Sequence, residues 1–423
     1  MDGVLTMIMA GGFGERLLPL TKDRSKAAVP FGGKFRIIDF TLSNCVNSGI
    51  RNIFVLTQYR SESLHRHIQE AWGISSARLG DYIYCVPPQQ KLGADWYRGT
   101  ADAVRQNLDL IKRRAVDTVL VLSGDHIYKM NYGQMVEFHH AKKAHITVSA
   151  IRVPKEEAAG QLGVIEIDND YQMIGFEEKP VNPKTLPDNP NYSLASMGVY
   201  AFEVNTLMKS LEGHEDDFGK QIIPTMLNSD KNIFVYDFQM QNKIADYTTE
   251  VVDGKRRRVI VERTRDSSYW RDVGTIDSYY EASMDLIGVD PIFNLYGERW
   301  PIRTFTQWLA PSKFVLGGMA FESLISTGSI ISGGTIRNSI ISPGVIVERG
   351  ALVINSVVFN DTIIEPDVRI NRAIIDKQCV IEAGASIGYN LDLDKKRGFH
   401  VSPGGIVVIP KGTTVGAVFA QEV

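Results

Sequence analysis

The sequence predicts an α/β domain on a mostly parallel mixed sheet, followed by a parallel β-helix of hexapeptide turns. Two periodicities point there. Up to about residue 290, short apolar runs alternate with helical patterns, the rhythm of βαβ units. Further on, Ile340, Ile346, Leu352, Val358, Ile364 and Ile370 recur at intervals of six. Neither a helix nor a flat strand produces that spacing, whereas the faces of a β-helix do. Leu324, Ile330 and Ile336 repeat it out of phase before this series, and Ile375, Ile381 and Ile387 after it. Between the two periodicities, Pro291, Pro301 and Pro311 punctuate a stretch holding Trp300 and Trp308. Such large apolar residues argue for a packed connector over a flexible linker. The expected division is residues 1–290, a connector 291–312, and residues 313–423.

In chain order, strands are expected at 4–10, 53–57, 118–122, 146–153, 197–202 and 233–238. One helix follows Ser61 and stops at Gly73. A second takes Thr100 as its N-cap and lines up Val104, Leu108, Ile111 and Ala115 on one face. A third covers 277–287 and ends at Gly288. Lys255 to Arg258 form a basic run after Asp253-Gly254, which reads as a hairpin with a solvated basic strand.

Composition excludes several classes. A chain of 423 residues, 44% hydrophobic and 22% charged, buries a core of two or three domains. Its formal net charge of −3 gives no case for nucleic acid or an anionic membrane as partner. No run approaches the roughly 18 apolar residues of a spanning helix, and the 4–10 segment is too short for a secretory signal. Cys45, Cys85 and Cys379 contain no CxxC pair and read as reduced thiols of a cytoplasmic protein. His65 with His67, and His139 with His140, lack the i, i+4 spacing of a helical metal site and read as surface residues.

The chemistry starts at Gly11-Gly12-Phe13-Gly14-Glu15-Arg16-Leu17, directly after the first expected strand. Glycines there let the backbone approach a phosphate, and successive N–H groups can cradle it. The spacing is neither the dinucleotide fingerprint nor a P-loop. With Arg16 and Lys26 close in sequence, two cations can face one nucleoside triphosphate. Asp125, in Ser123-Gly124-Asp125-His126, stands at the carboxyl end of a strand, where open α/β sheets bind ligands. Asp272 is the second candidate carboxylate; two such groups suit Mg²⁺, which takes one or two protein oxygens plus substrate phosphates. Lys179, in Glu177-Glu178-Lys179-Pro180, is a compact charge for a phosphate monoester beside carboxylates that can accept from sugar hydroxyls. Trp96-Tyr97-Arg98-Gly99-Thr100 opens the second helix and offers aromatics to a sugar or base.

Together these segments resemble the bacterial ADP-glucose pyrophosphorylases (glucose-1-phosphate adenylyltransferases) over nearly the whole chain. GGxGxRL and EKP are shared by sugar-nucleotide pyrophosphorylases in general. FGGKFRIIDF at 31–40, WYRGTADA at 96–103 and WRDVGT at 270–275 are particular to the ADP-glucose branch. The resemblance implies a Rossmann-like nucleotidyltransferase domain, a left-handed β-helix for regulation and oligomerisation, and a homotetramer. It implies Mg²⁺-dependent transfer of AMP from ATP to glucose 1-phosphate, with release of pyrophosphate, for glycogen or α-glucan synthesis.

Residue by residue, the resemblance assigns Arg16, Lys26 and Asp125 to catalysis, with Asp125 and Asp272 holding Mg²⁺. Ala10, Gly11, Gly12, Gly14, Gln89, Gly99 and Thr100 fall at the ATP, with Gln58 and Gln90 as weaker nucleotide contacts. Tyr97, Gly163, Glu178, Lys179 and Ser196 fall at the glucose 1-phosphate. Arg24, Arg36, Lys396 and Arg397 are the candidates for a sugar-phosphate activator or an AMP-type inhibitor. The chain departs from the family at Phe13, Asp23 and Ala27, where Arg, a basic residue and Pro are usual, which leaves the effector open. Three other readings stand beside this one. They are a pyrophosphorylase for another nucleotide or sugar phosphate, a non-catalytic regulatory subunit, and an acyltransferase. The last has only His400 as a candidate base in the β-helix half.

Overall fold

Nine strands form the central sheet of the computed structural model, which describes residues 1, 3–73, 81–89, 96–229 and 231–417. They are β1 (Val4–Met9), β2 (Asn52–Leu56), β3 (Tyr82–Val86), β4 (Thr118–Ser123) and β5 (Ile146–Pro154). The rest are β6 (Gly163–Ile167), β7 (Met173–Glu178), β8 (Tyr192–Glu203) and β9 (Ile233–Asp237). The order is β7-β6-β8-β4-β1-β2-β3, with β5 pairing β8 and β9. β3, β2, β1 and β4 run parallel, and β8 lies antiparallel to β4. β1 and β4 are apolar on both faces because helices cover both sides. Val4 and Ile8 pack into one core, and Leu5 and Met7 into the other. All six expected strands are present, and β3, β6 and β7 are additional to that set.

The helix after Ser61 is Glu62–Trp72, followed by Gly73. The one expected from Thr100 is two short helices, Thr100–Arg105 and Leu108–Lys112, and Gly99 rather than Thr100 is the N-cap. The break falls at Asn107, whose buried side chain donates to Tyr97 Oη (2.8 Å) and Ala103 O (2.9 Å). The third helix is Ile276–Met284, capped by Thr275. Strands Asp246–Val252 and Lys255–Val261 form the basic hairpin.

The β-helix has three sheets of stacked parallel strands, with His400–Val401 antiparallel at one edge. It is the left-handed β-helix of hexapeptide repeats. A regular coil takes 17 residues, the step from Ile346 to Ile363 and from Ile363 to Val380, while the step from Ile330 to Ile346 takes 16 and that from Val380 to Thr414, across an insertion, takes 34. Three faces therefore step by six, six and five, and the constant series of six crosses from one side of the wall to the other. The interior column is Ile341, Val347, Val353, Val358, Ile364, Ile370, Ile375, Ile381 and Ile387, all fully buried. Ile346 and Leu352 are the outward neighbours of Val347 and Val353. Ile340 also points outward, in the ladder Leu324-Ile340-Val357-Ile374-Val408. That ladder packs with Phe31, Tyr279 and Phe293 into a core shared with the first domain.

Phe293, Trp300 and Ile302 bury the first part of the connector, and Trp300 Nε1 donates to Asn44 Oδ1 (3.0 Å). Trp308 is fully exposed, so its bulk signals no packing. Two of the four paired histidines are interior. His67 meets Asp39 at 2.7 Å, and His139 meets Thr147 at 2.9 Å, with burial pushing the His139 pKa down to about 4. Each lies on the inward face of its helix, which the missing metal spacing could not reveal. Among the described residues no helix is long and apolar enough to cross a membrane.

Candidate active site

β1 and β4 run side by side with Met9 level with Ser123, so their carboxyl ends open at one edge. The glycine loop leaves β1 there, and Asp125 leaves β4; the Gly124 N–H donates to Met9 O (3.0 Å). Asp272 arrives on the strand Trp270–Asp272, which pairs antiparallel with His126–Tyr128 and sets Asp272 opposite His126. Lys26 closes the group. Its Nζ lies 2.9 Å from Asp125 Oδ2 and 2.8 Å from Asp272 Oδ1. Burial opposes ionisation of Asp125, but Lys26, His126 and Ser123 outweigh it and hold the carboxyl well below the usual range. Burial also opposes the Lys26 charge, and Asp125 and Asp272 outweigh that, raising its pKa. Two carboxylates on one ammonium leave a net negative charge, an environment that suits a divalent cation.

The loop over this group depends on Gly14, whose φ is 67°. A Cβ there would stand 2.9 Å from Thr21 Cγ2 and 3.1 Å from Lys26 Cβ, so only glycine lets the turn close on the lysine. Thr21 Oγ1 donates to Gly14 O (2.8 Å). Gly11 packs on Gln58, and Gly12 faces open space. The Ala10 N–H belongs to the sheet, donating to Leu56 O (2.9 Å), so it offers a phosphate nothing. Arg16 is exposed; the Cβ position at Gly274 is 3.0 Å both from its Nη2 and from Asp272 Oδ2. Arg16, Asp272, Trp270 and Leu162 line one cavity of about 380 Å³.

A second group borders it through Leu162, whose carbonyl accepts from Lys179 N (3.2 Å). Glu178 pairs with Gly163 in register, and a Cβ on Gly163 would meet Glu178 Oε2 at 2.9 Å. Ser196 stands where β8 shifts register, its Oγ accepting from Gly198 N (3.3 Å). The Cβ position of Gly219 is 3.2 Å from Glu178 Oε2 and 3.5 Å from Asp217 Oδ1. Burial pushes the Glu178 carboxyl up, and Lys179 and Lys220 only partly offset this. Lys179 is exposed, with no ion-pair partner among the described residues.

The nucleotidyl transferase family model matches residues 5–288, and a GlmU-like C-terminal hexapeptide model matches 310–409. A glucose-1-phosphate adenylyltransferase of Rhodopirellula baltica is 46% identical, over 99% of this chain and 92% of its own length. One from Alteromonas mediterranea is 45% identical over 96% and 91%. Glucose-1-phosphate adenylyltransferase 2 of Vibrio cholerae is 44% identical over 97% and 98%. The chain belongs to the glucose-1-phosphate adenylyltransferase family. It is a nucleotidyltransferase.

Within this adenylyltransferase fold, the segment expected at the nucleotide is only partly free. A Cβ on Gly99 would lie 2.3 Å from Asp216 O, which accepts the N–H groups of Ala101 (2.9 Å) and Asp102 (3.2 Å). Thr100 Oγ1 accepts from Phe218 N (3.2 Å). The helix start is thus spent on protein groups. Tyr97 is held at both ends, its hydroxyl by Asn107 and its carbonyl by Gln58 Nε2 (3.3 Å). Gln89 is exposed beyond β3 with no hydrogen bond among the described residues, and Gln90 lies outside them.

The four effector candidates do not form one cluster in this adenylyltransferase. Arg24 is buried in a two-armed pair with Asp376 of the β-helix, 3.0 Å on each arm. Its charge is already neutralised. Arg397 bonds Ser386 O (3.0 Å) and Gly416 O (2.8 Å) at the far end of the coil, beside the exposed Lys396. Arg36 alone faces the cleft between the domains, where a cavity of about 100 Å³ is lined by Lys34, Arg36, Gln307, Asn360 and Lys377. Burial, then Arg36 and Arg24, bring the Lys377 pKa down to about 7. Burial brings Arg36 down to about 10, with Asp39 offsetting only part. The sequence did not single out Lys377, Asp217 or Ser123, because what brings each beside these groups is a neighbour distant in sequence or a single bond that no motif spells out.

Proposed function

We propose that the protein transfers the adenylyl group of ATP to α-D-glucose 1-phosphate, forming ADP-glucose and pyrophosphate for α-glucan synthesis. The observation that carries this reading is Lys26 bridging Asp125 and Asp272 at the carboxyl edge of β1 and β4. The sugar phosphate is ionised at neutral pH, so its oxygen attacks the α-phosphorus in line without a general base, and catalysis is positioning and charge neutralisation. Gly11, Gly12 and Gly14 bring backbone close to the triphosphate, and Arg16 meets the charge that builds on the leaving pyrophosphate. Lys179 takes the sugar phosphate, with Glu178, Ser196 and Asp217 around the hydroxyls. Asp125 and Asp272 would hold Mg²⁺, which when bound neutralises charge shared by the two substrates' phosphates.

Regulation belongs to the interdomain cleft. Arg36 and Lys377 would bind a phosphorylated effector, in place of the expected set of Arg24, Arg36, Lys396 and Arg397. Assembly as a homotetramer and a place in the cytoplasm rest on the family resemblance and on three free, at least half-buried thiols. The deciding experiment measures pyrophosphate release from ATP, glucose 1-phosphate and Mg²⁺ by purified protein, beside UTP and GTP. ATP should dominate, and Asp125→Asn should cut turnover by about a thousandfold. Equal rates with UTP would overturn the adenylyl specificity, and near-normal turnover by Asp125→Asn would overturn the carboxylate assignment.

A further inference from the structure

We propose that Ser123 is a positioning residue that locks the Asp125 carboxylate in the plane required by a divalent cation. The inference rests on the metal reading above and goes beyond it. The two oxygens of Asp125 have separate partners. Oδ2 faces Lys26 at 2.9 Å, while Oδ1 accepts the Ser123 hydroxyl and has His126 Nε2 3.5 Å away. The terminal torsion of an aspartate is broad, so nothing within Asp125 itself fixes that plane. The Ser123 hydroxyl has one proton, and it is spent on Oδ1.

Ser123 is itself held still. It ends β4 level with Met9, and its carbonyl accepts Thr41 Oγ1 (3.0 Å) from the helix Ile37–Asn47. The irregular part of β8 packs beside it: the Cβ position of Gly198, whose φ is 65°, lies in ordinary contact with Ser123 Cβ at 3.8 Å. Without the hydroxyl, only His126 Nε2, 3.5 Å away, remains on Oδ1, and the carboxylate can turn both oxygens towards the Lys26 ammonium. Lysine and metal would then compete for the same lone pairs, and the ion would have one fixed ligand fewer. Partners of metal-binding carboxylates typically set affinity or activity by 10- to 100-fold.

The test titrates Mn²⁺ into the whole protein in the presence of ATP, with free Mn²⁺ followed by electron paramagnetic resonance. Ser123→Ala should weaken Mn²⁺ binding roughly tenfold and lower kcat by a similar factor. The KM for glucose 1-phosphate should stay within about twofold. Ser123→Thr, which keeps the hydroxyl, should restore both. Wild-type Mn²⁺ affinity in Ser123→Ala, alongside lost affinity in Asp125→Asn, overturns this inference alone. Unchanged affinity in both variants overturns the metal reading beneath it. If Ser123→Ala lowers the melting midpoint and Ser123→Thr restores only that midpoint, Ser123 is a fold residue and the proposal fails.

Discussion

Asp125 and Asp272 share a single ammonium: Lys26 Nζ lies 2.9 Å from one and 2.8 Å from the other. The arrangement keeps Asp125 and Lys26 charged across most of the pH scale. The Asp125 carboxyl, held below its unfolded value near 3.9, contributes stability present above about pH 4 and lost as pH falls through its lower folded value. Lys26, raised above about 10.4, contributes stability present below that pH and lost as pH climbs past its folded value. Urea midpoints should therefore show no loss from this group between about pH 5 and 9. Lys26→Met should narrow the difference between pH 6 and pH 3; an unchanged difference would exclude the network from acid stability.

Arg16 is exposed beside Asp272 and free to meet the leaving pyrophosphate. Removing one charge-stabilising donor of this kind costs about 10²–10³ in kcat. Arg16→Ala should fall in that range in a pyrophosphate-release assay, and an unaltered kcat would remove the residue from the mechanism.

Lys179 stands at the sugar end, bonded through its own N–H to Leu162 O. Lys179→Gln should raise the KM for glucose 1-phosphate at least tenfold with the KM for ATP little changed, the mark of lost substrate binding. Equal rises in both would move Lys179 away from the sugar phosphate.

Arg24 and Asp376 join the two domains as a buried ion pair. Removing one partner leaves the other charge uncompensated, a loss of about 3–5 kcal/mol. Arg24→Met and Asp376→Leu should each be destabilised on that scale in urea unfolding, and the double variant should recover most of it. Additive losses would show that the two charges act independently.

Lys377 loses its proton at about pH 7 in the absence of a ligand. An anion in the cleft beside Arg36 should therefore bind more tightly at pH 6 than at pH 8, by roughly tenfold. Calorimetry with fructose 1,6-bisphosphate, fructose 6-phosphate and AMP reads this directly. Lys377→Met should abolish the pH dependence, and an undiminished dependence would place the anion elsewhere.

Local pattern determined much by itself: six of the nine strands of the sheet, the glycine loop after β1, the change to a coil and the candidate carboxylates. Each depends on neighbours within a few residues, whose spacing is set by strand, helix or turn geometry. Tertiary structure alone decided that Asp272 reaches Asp125, because the contact runs through the short ribbon opposite His126. It also decided that Arg24 is neutralised while Lys377 is not. Which side of the coil wall each isoleucine faces between Ile346 and Ile381 followed from the five-residue step of the regular 17-residue coil. Charge and burial at a given residue are set by what chain folding brings against it, and linear order does not carry that information.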